Sequence, residues 1–125
     1  MVVKNTTYKK TVDLPVYNCK LILYVTSALN KTVNKICSTH KMGYQFTDEA
    51  EGVVLSPDIT DYYLVIDLRY LSYNTIAHEI YHATVKITED RDIVDEETQA
   101  WLCGHITGVL HKFLDKKNLK VKHGE

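Results

Sequence analysis

The run Tyr62-Tyr63-Leu64-Val65-Ile66-Asp67-Leu68 sets the tightest limit on how this chain can fold. It is the strongest strand signal present, because β-branched and aromatic side chains suit a pleated, half-buried surface. Gly52-Val53-Val54-Leu55-Ser56 reads as a second strand, and Ser56-Pro57-Asp58-Ile59-Thr60-Asp61 reads as the turn between them. So short a connection predicts an antiparallel hairpin. Cys19-Lys20-Leu21-Ile22-Leu23-Tyr24-Val25-Thr26 is short and apolar, and reads as a buried strand. The first eighteen residues are polar and β-leaning, with Pro15 as a stop. Tyr24, Tyr62 and Tyr63, of the nine tyrosines, fit strands.

The period then changes. Leu29, Val33, Ile36, Cys37 and His40 recur at helical spacing among lysines and asparagines, which predicts an amphipathic helix over 28–41 with Ser27 as a cap candidate. Residues 43–51 are mixed and acidic. A second helix is predicted from Ser72 or Asn74, both reasonable N-caps, to Ile87. A third is predicted from Asp92 or Asp95 to Lys117. Asp95, Glu96 and Glu97 crowd its start and Lys112, Lys116 and Lys117 its end, which suits the helix dipole. The order β, β, α, β, β, α, α predicts an α+β fold, a small mixed or antiparallel sheet packed against helices, in one domain spanning residues 1–125.

Composition removes several function classes. Fifteen basic residues face sixteen acidic ones, for a net charge of -1, whereas a generic nucleic-acid binder should be clearly basic. No apolar run approaches the ~20 residues that a membrane span needs. The opening Met-Val-Val-Lys-Asn-Thr-Thr lacks a signal peptide's apolar stretch, so the expectation is a cytoplasmic protein with neither nucleic acid nor membrane as partner. Oligomeric state is not legible. Cys19, Cys37 and Cys103 are odd in number and far apart, with no Cys-x-x-Cys pair, and are expected to be reduced and buried.

The segment Thr75-Ile76-Ala77-His78-Glu79-Ile80-Tyr81-His82-Ala83 carries the chemistry. A helix turns about 100° per residue, so His78 and His82 stand ~40° apart on one face and one turn apart along it. Two imidazoles so placed can hold one metal ion. Glu79 sits beside them, badly placed to ligate together with both histidines but well placed to reach a metal-bound water. A catalytic zinc keeps three protein ligands and one open position, so a further ligand must come from elsewhere. Fourteen residues separate His82 from Glu97, enough for a helix end, a reversal and the next helix. On that helix Glu97, Ala100, Trp101, Gly104, Gly108 and His111 follow helical spacing. The small members would let the stripe press against the motif helix and bring Glu97 to the metal. Glu96, Asp92, Asp95 and His105 remain alternatives. Trp101 is expected in the core, His40 and His123 in solvent, and His111 either capping or packed within the last helix.

His78-Glu79-Ile80-Tyr81-His82 followed by Glu97-Thr98-Gln99-Ala100 resembles the gluzincin branch of the zincin metallopeptidases, in which a second helix supplies a glutamate ligand. The closer likeness is to small zincin-like proteins of phages and prophages. Those have a His-Glu-x-x-His-Ala helix, a short acidic loop and a helix resembling Glu-x-x-Ala-aromatic-Leu-x-Gly, here Glu97, Ala100, Trp101, Leu102 and Gly104. Leu14-Pro15-Val16-Tyr17 also looks similar. The resemblance implies a minimal zincin-like fold with a zinc ion on His78, His82 and Glu97. It also implies hydrolysis of a peptide or protein substrate, with Glu79 as the general base. Tyr70, Tyr73, Tyr81 and His105 are candidates to steady the oxyanion. Two other functions compete: a zincin-fold binding module with weak or no catalysis, and an α+β interaction domain without metal.

Overall fold

The computed structural model describes residues 5–43, 46 and 49–123. The acidic stretch read over 43–51 falls partly outside them, as do the first four residues. Seven elements follow in the expected order: β1 (Thr7–Leu14), β2 (Cys19–Thr26), α1 (Leu29–Thr39), β3 (Gly52–Leu55), β4 (Asp61–Asp67), α2 (Tyr73–Glu89) and α3 (Glu96–Lys116). The fold is α+β, with a mixed sheet of order β1-β2-β4-β3.

Pro15 does stop β1. It opens a single 3-10 turn, Pro15–Tyr17, which closes on Asn18 in the left-handed region at φ 53°. The chain thus reverses into β2, and β1 and β2 pair antiparallel from Leu14↔Cys19 to Thr7↔Thr26. The hairpin of β3 and β4 is antiparallel as expected, with Val54 opposite Leu64. Its turn is held by Asp58, whose Oδ1 accepts from the backbone N–H groups of Thr60 (2.7 Å) and Asp61 (2.9 Å). The two hairpins join at the centre through β2 and β4, which run parallel with Leu23 opposite Leu64. A parallel pair needs a long crossover, and α1 with β3 provides it.

Alternation along the strands sends side chains to two faces. Leu21, Leu23, Val25, Tyr62, Leu64 and Ile66 point to the face that α2 and α3 cover. Val65 and Leu55 point to the other, where Leu29, Val33, Ile36 and Cys37 of α1 meet them. The sheet is therefore sandwiched between α1 and the α2–α3 pair. Of the two starts expected for α2 and for α3, Ser72 and Asp95 are the ones that cap, accepting from Thr75 N (3.1 Å) and Thr98 N (2.9 Å). All three cysteines are free, and Cys37 alone is fully buried. Among the described residues no helix is long and apolar enough to cross a membrane.

The orientation of α3 differs from the expectation. Its buried face is Leu102, Ile106, Leu110, Phe113 and Leu114, not the stripe through Ala100, Gly104 and Gly108. A Cβ added at Gly104 or Gly108 would meet nothing within 4 Å, and Trp101 is 58% exposed rather than in the core. The physical reason is area. Each fully buried leucine or isoleucine contributes about 1.5–3 kcal/mol, and four of them outweigh one indole and two glycines. Trp101 instead stacks on His105, with ring centroids 5.2 Å apart. His40 also differs: it is half-buried, with Nε2 2.7 Å from the Tyr63 hydroxyl. His111 stacks on Tyr73 at 5.6 Å, and His123 is exposed.

Candidate metal centre

α2 presents two faces. Ile76, Ile80, Ala83 and Ile87 pack into the core, at the i, i+4, i+7 spacing of an amphipathic helix. Ala77, His78, Tyr81 and His82 are exposed on the other side. Glu79 stands at the boundary and is 6% exposed.

His78 and His82 converge. Their Nε2 atoms are 3.1 Å apart and the rings meet edge to face at 77°. Two nitrogens on a tetrahedral zinc at ~2.05 Å each would stand roughly 3.3 Å apart. The pair is therefore spaced as two ligands of one ion would be, and both rings face open space. Glu79 Oε2 lies 3.9 Å from His78 Nε2. Burial pushes the Glu79 carboxyl up from its ordinary value, the two histidines pull it down, and Glu51 pushes it up.

The edge strand closes over this carboxylate. A Cβ on Gly52 would stand 2.6 Å from Glu79 Cγ, 2.9 Å from Cδ and 3.1 Å from Oε2. Only a residue without a side chain lets β3 approach so closely. Two bonds keep it there: Thr75 Oγ1 donates to Glu51 Oε1 at 3.0 Å, and Asp67 N donates to Glu51 O at 2.9 Å. In the sequence Gly52 reads only as a strand start, and neither Glu51 nor Thr75 stands out as a site residue. No local pattern marks a contact made across 24 or more residues. A cleft of about 440 Å³ opens between β3 and α2, lined by Gly52, Val53, Val54, His78, Glu79, His82 and Lys86 among others. Among the described residues β3 pairs only with β4, which leaves its other edge without a partner strand there.

The structure brings His78, Glu79 and His82 together but does not add the third expected ligand. Among the described residues no three His, Cys, Asp or Glu side chains are grouped closely enough to hold a metal ion. Glu97 and Glu96 are exposed in the first turn of α3, on the side that the leucine face turns away from the core. Asp95 caps that helix, Asp92 is in the left-handed region at φ 54°, and His105 stacks on Trp101. Tyr70, Tyr73 and Tyr81 are all exposed, at 44%, 48% and 63%. Comparison with known proteins adds nothing here: no family model, curated protein or solved structure matches the chain.

Proposed function

We propose that this protein is a minimal zinc-dependent hydrolase of peptide bonds, acting in the cytoplasm. The observation that supports it most is the convergence of His78 and His82 Nε2 at 3.1 Å, over an open cleft, with the buried Glu79 carboxylate 3.9 Å from His78 Nε2. His78 and His82 would hold the metal, and Glu97 is the third ligand by the resemblance alone. A zinc ion bound there would lower the pKa of its water to about 7 and polarise the scissile carbonyl.

Glu79 is the general base. With the ion bound, its carboxylate would take the water's proton and pass it to the leaving amine. Its burial and its contact with Gly52 hold the carboxyl in one position, so no reorganisation is needed when the proton moves. The free edge of β3 offers backbone N–H and C=O groups to an extended peptide lying in the cleft, with Val53 and Val54 alongside.

One observation favours a second reading, a zincin-fold binding module with weak or no catalysis: Glu97 stands apart from the histidines. Zinc content and cleavage of a diverse peptide library separate the two. Hydrolysis predicts about one zinc per chain, retained in Glu79→Gln while cleavage is lost. Zinc without cleavage by the parent protein supports the binding module, and zinc near zero rejects both. Glu97→Ala with unchanged zinc affinity removes Glu97 from the ligand set.

A further inference from the structure

The face of the sheet away from the histidine pair carries a second cavity, of about 370 Å³, where α1 meets the sheet beside β1. Its floor is aromatic. Tyr24 of β2 and Tyr63 of β4 set their rings nearly parallel, 15° apart with centroids separated by 6.4 Å. His40 Nε2 anchors the Tyr63 hydroxyl at 2.7 Å.

Its wall is cationic. Lys31 and Lys35 line it from successive turns of α1, both exposed, and neither makes an ion pair among the described residues. Lys9, directly across the strand pair from Tyr24, brings its Nζ to 5.7 Å from the centre of that ring. Among the described residues no aspartate or glutamate lines the cavity. The carboxylates whose charge reaches Tyr63, Asp61 and Asp58, are engaged elsewhere: Asp61 with Lys20 at 3.8 Å, Asp58 with Thr60 and the backbone of its turn. Thr32 and Thr39 add hydroxyls to the wall.

Like charges one helical turn apart repel, and an anion between them removes that cost. Paired phenol rings at the floor offer flat apolar area to a planar group. The volume is at the small end of the ~300–1,000 Å³ range of ligand sites. We infer that this cavity binds a small anion carrying a planar ring, the chemistry of a nucleoside monophosphate. The site is separate from the zinc reading and does not depend on it.

The test is a titration of the full chain, with labelled tyrosine rings observed by NMR, using adenosine 5′-monophosphate, adenosine and inorganic phosphate as three probes. The monophosphate should shift the Tyr24 and Tyr63 signals saturably, with affinity at least about tenfold above either fragment. The double variant Lys31→Ala, Lys35→Ala should lose at least about tenfold in that affinity while its melting temperature stays near the parent's. Tyr24→Leu should weaken the monophosphate and leave phosphate unaffected. The inference is overturned if the monophosphate gives no saturable shift at millimolar concentration, if the double-lysine variant binds it as tightly as the parent, or if the shifts fall instead on Tyr73 and Tyr81 of α2. Phosphate binding as tightly as the monophosphate removes the ring from the assignment.

Discussion

The two ends of the α2 region use polar side chains in opposite ways. Beyond its C-terminus, Arg91 donates through Nε to Tyr17 O at 2.6 Å, through a terminal nitrogen to the Tyr62 hydroxyl at 2.7 Å, and to Ile59 O. The same hydroxyl donates to Asp90 Oδ2 at 2.6 Å. These groups satisfy one another, and the result is a structural tie between three loops. In the first half of α2, the exposed His78 and His82 bring their Nε2 atoms together at 3.1 Å beside an open cleft, and the buried Glu79 carboxyl lies 3.9 Å from that of His78. Polar groups that close on each other hold a fold together. Groups aimed at an open cleft are available to something outside the chain.

The contrast can be broken most sharply at Glu79. Glu79→Gln should lower peptide cleavage by about 10²–10⁴-fold, the usual contribution of a general base, with zinc content unchanged. Its melting temperature should stay level or rise, because burial penalises the charged form of the group removed. At the other end, Arg91→Ala should reverse that pattern. It should cost about 2–3 kcal/mol in chemical denaturation, from lost charge-assisted hydrogen bonds, and leave zinc content intact. Gly52→Ala lies between the two. Its methyl group would overlap Glu79, so it should cost roughly 1–3 kcal/mol and also slow cleavage, with zinc retained. Loss of stability without loss of rate would mean that Gly52 merely packs.

The last effect is one of pH, and it is felt only above about pH 10. Burial and the Asp90 hydrogen bond push the Tyr62 hydroxyl from 10.0 up to about 12. Between those values the unfolded chain has released a proton that the folded one keeps. Tyr62 therefore contributes stability that is fully present below about pH 10 and is lost as pH rises through about 12. Tyr62→Phe should flatten the alkaline fall in stability, measured by denaturation at several pH values. An unchanged slope would take Tyr62 out of the tie.

Much of the fold was legible in the sequence because its signals are local. The Tyr62 to Leu68 run, the Ser56 to Asp61 turn and the caps Ser72 and Asp95 each act within a few residues of themselves, and the elements begin and end close to where those signals put them; Ser27 does not cap α1, because its hydroxyl bonds the Thr6 backbone instead. The face that α3 buries was not legible by spacing alone. Two stripes one residue apart, Glu97-Trp101-Gly104-Gly108 and Leu102-Ile106-Leu110, are both helical, and only the area each can bury decides between them. The parallel pairing of β2 with β4, which makes the expected mixed sheet, has no local signal for a related reason, since no turn connects them. At the site, the histidine pair and Glu79 follow from helical geometry. The clamp of Gly52, Glu51 and Thr75 joins two elements, and no motif announces it.

The Arg91 tie also bears on the order in which the molecule assembles. One guanidinium bridges Tyr17, 74 residues away, Ile59, 32 residues away, and Tyr62, 29 residues away. It can reach all three only after β2 and β4 have found their register, because until then those loops wander independently and closing them carries the entropy of long chain segments. Its bonds should be absent from the folding transition state. In stopped-flow experiments Arg91→Ala should then accelerate unfolding and leave the refolding rate nearly unchanged. The residue is a latch that drops once the door is shut, and it sets how long the native state lasts more than how quickly it forms.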